Sequence, residues 1–134
     1  MREIKFRAWV PTEKTLCEVL IINHKEKTAQ LPIETAVGSS YWWDETVWSF
    51  EEVVFMQYTG LKDKYGMDIY EGDIIDCEIY GQKHRGIVQY ADILAVYYLT
   101  GLSRSDTELW LASEKQIIGN KYEHPHLLES EDDL

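Results

Sequence analysis

Apolar and polar residues alternate along much of this chain, which is the pattern of half-buried β-strands. The clearest case is IKFRAWV, residues 4–10, where every second residue from Ile4 to Val10 falls on one apolar face. Charged residues and Trp9 fall on the other face, and Pro11 ends the segment because proline cannot donate a backbone hydrogen bond. The chain therefore begins with a predicted strand.

Further strand-like segments follow at short intervals. CEVLII and AQLPI predict a hairpin, in which Pro32 places the second strand at a sheet edge. FEEVVFMQY, residues 50–58, fits a helix or a strand, and its β-branched and aromatic residues favour a strand. Helix is scarce, and the best candidate is HPHLLE, with Pro125 at the first helical position. Four more strands are predicted in DIIDCEIY, RGIVQYAD, LAVYYLTG and LWLAS. Short strands parted by turns predict a mainly β protein with a small barrel or rolled sheet.

Charge and composition narrow the class of protein. The net charge of −11 argues against a surface that follows nucleic-acid phosphates throughout, although Lys83, His84 and Arg85 leave room for a local basic patch. The ending ESEDDL, residues 129–134, reads as a solvated acidic tail. The longest apolar run, ILAVYYL, is far too short to span a membrane, and no signal-peptide pattern is present. Two unpatterned cysteines suit a soluble protein of a reducing cytoplasm.

The segment YTGLKDKYGMDIYEGD, from Tyr58 to Asp73, has the densest concentration of special residues. A calcium loop starting at Asp63 would put lysine and glycine at ligand positions, and a phosphate-binding loop would need a helix after it. Both readings fail. Two tight turns fit better, one in which Gly66 can take a positive φ and one at Gly72 that leads into a strand.

Candidate catalytic residues are few. The carboxylates between Asp68 and Glu78 crowd one segment, but on a strand they suit a solvated edge better than an acid–base pair. His124 and His126 lack the spacing of a zinc site, and His124 suits a helix entry. Neither cysteine has a catalytic flank. The sequence predicts no enzyme activity, no cofactor and no metal.

The aromatic content is the strongest functional hint. Five Trp and nine Tyr cannot all be deeply buried in 134 residues, and such rings suit protein interfaces. Stacking on single-stranded bases would need positive charge beside the rings. The predicted binding residues are Trp42, Trp43, Tyr58, Lys62, Lys64 and Tyr65.

Three segments in order resemble the YopX family of phage and prophage proteins. They are MREIKFRAW at the start, MQYTGLKDKYGMDIYEGDII in the middle and IIGNKYEHPHLLE near the end. The resemblance implies a mainly β, YopX-like fold with a C-terminal SH3-like barrel or roll, a bacterial cytoplasm and a homo-oligomer as one option. It supplies no reaction, since the family has no established activity.

The subdomains expected from this resemblance are an N-terminal β-rich part (residues 1–69), an SH3-like barrel (70–128) and the acidic tail (129–134). The leading functional hypothesis is a non-enzymatic phage accessory protein that binds a host or phage macromolecule, with protein as the favoured partner. One alternative is association with nucleic acid in replication or regulation, which rests on analogy of fold. Another is a metal-dependent enzyme using the Asp68–Glu78 carboxylates.

Overall fold

The structure is a computed structural model that describes residues 3–33, 46–101 and 107–128. Twelve strands and three short 3₁₀ helices make up the regular elements of these ranges. The prediction of a mainly β protein with little helix is confirmed. No helix among the described residues is long and apolar enough to cross a membrane.

Chain contacts divide the protein into two compact units. One unit comprises Ile4–Gln57, and the other comprises Tyr58–Leu134 together with Met1–Glu3. The division therefore falls earlier than the boundary between residues 69 and 70 that the sequence suggested. The three predicted subdomains stay a prediction.

The first unit contains two small antiparallel arrangements of strands. In one of them β1 lies between β2 and the start of β6, and in the other β4 lies between β3 and β5. A 3₁₀ helix, Phe50–Glu52, precedes β6. The strands are β1 (Phe6–Val10), β2 (Thr15–Glu18), β3 (Ile21–Asn23), β4 (Thr28–Gln30), β5 (Val47–Ser49) and β6 (Val54–Lys62).

The alternation in the first strand is borne out by burial. Ala8 and Val10 are fully buried and pack with Trp48, whose indole N–H donates to the carbonyl of Ile33 at 3.1 Å. Satisfying that N–H lets a large ring enter a small core, since an unpaired buried donor is costly.

Two predictions for this unit are wrong. CEVLII is not one strand, because the chain leaves β2 at Glu18 and begins β3 at Ile21. The strand before Pro32 is not an edge strand either, since β4 has a partner on both sides. Pro32 lies beyond the last residue of β4, so its missing N–H interrupts no pairing.

The second unit is built on a five-stranded antiparallel sheet in the order β11-β10-β9-β8-β12, which curls as a half-barrel. The second part of β6 pairs with β7 in a separate hairpin. The strands that follow β6 are β7 (Asp68–Tyr70), β8 (Asp73–Ile79), β9 (Gln82–Ala91), β10 (Val96–Gly101), β11 (Thr107–Glu108) and β12 (Ser113–Asn120).

Alternate positions of β8 give the largest share of this unit's core. Ile75, Cys77 and Ile79 alternate into it from β8, and Val88 joins them from β9. At Gly86 an added Cβ would lie 2.9 Å from the carbonyl oxygen of Thr100, so the close approach of β9 and β10 requires glycine.

Two sequence predictions for this unit are wrong, and one is confirmed. LWLAS is not a strand, because Leu109–Leu111 forms a 3₁₀ helix, and the long strand β12 after it was missed. β8 is not a solvated edge, because β9 and β12 flank it. The helical turn after His124 does begin at Pro125, and it is a 3₁₀ helix, Pro125–Leu128.

Candidate functional site

The first turn of the Tyr58–Asp73 segment is organised by the buried carboxylate of Asp63. Its Oδ1 accepts hydrogen bonds from the backbone N–H groups of Tyr65 and Met67, both at 2.9 Å. Gly66 has a φ of +83°, which a residue with a side chain would resist. The glycine and the short acidic side chain together fix the turn, as the sequence predicts.

The same carboxylate joins this turn to β12. Oδ2 of Asp63 accepts from the backbone N–H of Ile117 at 3.2 Å, and the N–H of Lys64 donates to the carbonyl of Lys115 at 2.7 Å. Since β12 is the last strand on its side of the sheet, these bonds satisfy backbone groups on an otherwise open edge. The turn therefore closes part of that edge.

Opposing effects act on the pKa of Asp63. Burial alone would raise it, but hydrogen bonds from the N–H groups of Met67, Ile117 and Tyr65, together with the charge of Lys64, lower it below the ordinary value of 3.8. The carboxylate is thus held ionised by its backbone donors. A general acid or base near neutral pH would need the opposite shift.

The second turn of the segment also has a structural role. Asp73 is buried, and its Oδ2 accepts from the N–H of Tyr70 at 2.8 Å. Gly72 donates to the carbonyl of Val88 and accepts from the N–H of Lys121. Gly72 has a φ of +86° and lies at the predicted second turn, directly before β8. Two of the three sequence segments that carry the family resemblance therefore hydrogen-bond to each other.

The third segment supplies the other side of that contact. Oδ1 of Asn120 accepts from the N–H groups of Tyr122 and Glu123, and the N–H of Asn120 donates to Nδ1 of His124. The ring of His124 also packs so closely on Gly119 that a Cβ there would lie 2.7 Å from its Nδ1. His124 therefore lies at the entry of the last 3₁₀ helix as a structural acceptor.

The predicted binding residues occupy different environments. Tyr58 is buried, with its ring 5.7 Å from that of Tyr70, so it suits a packing role. Lys62 forms an ion pair with Asp68. Trp42 and Trp43 lie outside the described residues.

Lys64 and Tyr65 are exposed, as is the ion-paired Lys62. The ammonium of Lys64 lies 5.4 Å from the ring centre of Tyr65, which is 67% exposed. Lys64 also lines a polar groove of about 390 Å³, together with Lys83, Glu78 and Glu114. Charges of both signs therefore meet in this groove.

Of the carboxylates between Asp68 and Glu78, Asp76 and Glu78 line the polar groove, whereas Asp68 forms its ion pair with Lys62. Asp76 accepts two hydrogen bonds from Arg85, at 2.7 and 3.2 Å, while Asp73 faces the turn at Tyr70. Within residues 3–33, 46–101 and 107–128, no three His, Cys, Asp or Glu side chains are grouped as metal ligands. Burial, followed by the neighbouring Glu18, raises the pKa of the Cys17 thiol, which disfavours its thiolate.

An apolar groove lies at the far end of the β9–β10 hairpin, and we call it the hairpin groove. Its volume is about 680 Å³. Ile93 is 98% exposed and Leu94 70% exposed at the tip, and Tyr90 is 41% exposed at the end of β9. The groove is lined by Tyr90, Ala91, Asp92, Ile93, Leu94, Val96, Tyr98, Thr107 and Glu108.

Sequence reasoning missed the groove because it began the predicted strand LAVYYLTG at Leu94, which lies in the turn before β10. The turn between β9 and β10 is DILA, residues 92–95, and Ala95 takes a positive φ of 53° without glycine or asparagine. Large apolar side chains at a turn face water unless something covers them. An apolar pair directly after the acidic Asp92 was the signal available in the sequence.

The class of protein that these features define is a mainly β fold with a curled half-barrel sheet and an apolar hairpin tip. The family model described as YopX protein matches residues 5–129. This chain belongs to the YopX family, and the YopX-like fold expected from the sequence is confirmed.

A solved structure shows the same fold along nearly the whole chain. The crystal structure of protein EF1440 from Enterococcus faecalis superposes with a TM-score of 0.58 at 25% sequence identity. The match covers 96% of this chain and 100% of that protein. No curated protein matches this chain.

Proposed function

We propose that this protein is a non-enzymatic protein-interaction module whose contact surface is the hairpin groove. The main observation that supports this proposal is the exposure of Ile93 and Leu94 at the tip of the β9–β10 hairpin. Large apolar side chains grouped beside an open cavity are typical of protein contact sites. Each of these two residues would remove apolar surface from water on binding.

The hairpin is suited to present such a surface. β9 and β10 pair at six positions from Gly86 and Gly101 to Ala91 and Val96. At their outer end the Tyr90 and Tyr97 rings stack edge to face, with centres 5.0 Å apart. A rigid support keeps the entropy cost of ordering the surface on binding low.

We place this activity in the cytoplasm of a bacterium that carries a phage or prophage. Support comes from the sequence resemblance and from Cys17 and Cys77, which form no disulfide. The partner on this proposal is a host or phage protein. A second copy of the chain is the other protein partner to test.

Affinity capture of the tagged chain from its bacterial host tests the proposal. The double variant Ile93→Ser/Leu94→Ser should lose a partner that the wild type retains after nuclease treatment. The matched control is Leu20→Ser/Ile21→Ser, which removes two exposed apolar side chains from the other unit and should retain the partner. Equal recovery by both double variants would overturn the assignment of the site. Recovery of the bait alone would overturn the proposal of a host or phage partner.

A second candidate function is association with nucleic acid, and the polar groove favours it. Lys64 and Lys83 line this groove, and exposed Tyr65 lies beside Lys64. Such a lysine–tyrosine pair suits a stacked base beside a phosphate. Glu78 and Glu114 in the same groove oppose it. Binding of a single-stranded oligonucleotide that weakens steeply with salt, and is lost in Lys64→Gln/Lys83→Gln, would support this function.

A further inference from the structure

Among the described residues, the charges that line the hairpin groove are all of one sign. Asp92 and Glu108 line it, and none of the described lysine, arginine or histidine residues does. In the part of the chain that the structure describes, neither carboxylate has an ion pair or a side-chain hydrogen bond. With respect to residues 3–33, 46–101 and 107–128, both are available to a cation that a partner brings.

The two carboxylates stand on either side of the apolar surface. Asp92 lies in the turn, immediately before Ile93, whereas Glu108 lies on β11 directly opposite Tyr98. Val96 belongs to β10 between these points, roughly 7 Å along the strand from Tyr98, given the rise per residue of a β-strand. An apolar side chain seated on Val96 and Leu94 would therefore have a negative charge before and after it.

We infer that the partner of the hairpin groove presents an apolar side chain flanked on both sides by lysine or arginine. The inference rests on the proposed function and adds the chemistry of the partner to it. Opposite charges across a rim set specificity and association rate more than total affinity. A segment with acidic flanks would meet like charges at both ends of the groove.

Charge also separates this partner from the other candidates. A second copy of the chain would bring the same two carboxylates and the same net charge of −11 against the groove. A nucleic acid would bring phosphates to a groove whose described lining residues include no cation. A basic protein segment meets neither obstacle.

Selection from a phage-displayed library of random 12-residue peptides on the immobilised full chain tests the inference. The wild type should enrich peptides in which an apolar residue has lysine or arginine on both sides. The variant Asp92→Lys/Glu108→Lys should enrich peptides with acidic flanks instead. Because Asp92 is exposed and neither side chain has a partner in the described chain, this double variant should fold. Thermal melts check this directly.

A measurement on one selected peptide gives the size of the effect. The neutral variant Asp92→Asn/Glu108→Gln should bind the synthetic peptide about five-fold more weakly, since two exposed ion pairs of ordinary strength are lost. Binding to the wild type should weaken with added salt, and binding to the neutral variant should depend on salt less. Equal affinity of the two proteins at all salt concentrations would overturn the inference.

The outcomes separate the inference from the proposed function. Peptides that need Ile93 and Leu94 but show no preference for basic flanks would overturn the inference and leave the contact surface standing. Peptides that bind Ile93→Ser/Leu94→Ser as well as the wild type would show that the groove is not the contact surface. If the wild type enriches no peptide, the inference of a basic segment fails. The proposed function is then tested separately, by affinity capture from the host.

Discussion

The carboxylate of Asp63 accepts a hydrogen bond from the backbone N–H of Ile117, 54 residues further along the chain, at 3.2 Å. Its other oxygen accepts from Tyr65 and Met67 in its own turn. One side chain thus builds a hairpin turn and attaches that turn to the last strand of the sheet. The segment that looked most like a site in the sequence owes its composition to this structural role.

Replacement of Asp63 by asparagine should destabilise the second unit. An amide has one acceptor oxygen, so its NH₂ group would face a backbone donor that needs an acceptor. Leaving a buried donor unpaired costs about 1–3 kcal/mol of unfolding free energy. Urea denaturation measures the loss. The exposed Asp92→Asn is the matched control, and its effect should stay within about 0.5 kcal/mol.

The stabilisation by Asp63 should depend on pH in a defined window. Because the pKa of Asp63 is lower in the folded chain than its ordinary 3.8, its stabilisation is complete above the unfolded value. It is lost as the pH falls through the folded value. The difference in unfolding free energy between wild type and Asp63→Asn should be constant near neutrality and shrink below about pH 3.8. A difference that grows on acidification would show that the pKa is raised.

Gly119→Ala should destabilise the protein through a collision that a second mutation relieves. The new Cβ would lie 2.7 Å from Nδ1 of His124, and overpacking of this kind costs about 1–3 kcal/mol. In the double variant Gly119→Ala/His124→Ala the collision is absent. The double variant should therefore lose less unfolding free energy than the two single variants lose in sum. A double-mutant cycle from denaturation curves measures this coupling.

Gly86→Ala provides the contrast to that cycle. Its Cβ would lie 2.9 Å from the backbone carbonyl oxygen of Thr100, so no side-chain truncation can relieve it. Its cost should be unchanged in the background Thr100→Ala. A rescue by that substitution would contradict the close strand approach.

Tyr58 and Tyr65 should respond differently to truncation. Tyr58 is 7% exposed, so Tyr58→Ala should cost about 3 kcal/mol or more of unfolding free energy, as other buried aromatic truncations do. Tyr65 is 67% exposed, and Tyr65→Ala should change stability little. Thermal melts of both variants measure this. If Tyr58→Ala is as stable as the wild type, the packing role assigned to Tyr58 is wrong.

Much of the fold could be predicted from the sequence where the local chemistry decides the structure. Alternation predicted β1, and turn composition predicted the positive φ of Gly66 and the tight turn at Gly72. Pro125 began a helical turn because its missing N–H costs nothing at that position. In each case neighbours in the sequence hold the information.

The features that the sequence did not predict depend on distant contacts. β12 has two shifts of register and a residue, Glu114, at a φ of 50°, so its side chains do not keep a period of two. Its edge is satisfied by Asp63 and Lys64 from far along the chain. Tyr58 was predicted to be a binding residue, but in the structure its ring lies beside that of Tyr70.

The hairpin groove was missed for a related reason. Ile93 and Leu94 belong to one apolar run in the sequence, and the predicted strand LAVYYLTG began at Leu94. Their exposure follows from the turn that β9 and β10 make there. Apolar content alone does not tell a buried strand from an exposed tip. The pairing of the strands decides it.

Site-specific photo-crosslinking in the bacterial host tests the central claim most directly. A photoreactive phenylalanine analogue is introduced at position 93, and separately at Tyr65 and at Leu20, all of which are exposed enough to accept it. We expect position 93 to crosslink to one protein partner, and the other two positions to give no crosslink to it. A partner that crosslinks from position 65 or 20 and not from position 93 would contradict the account.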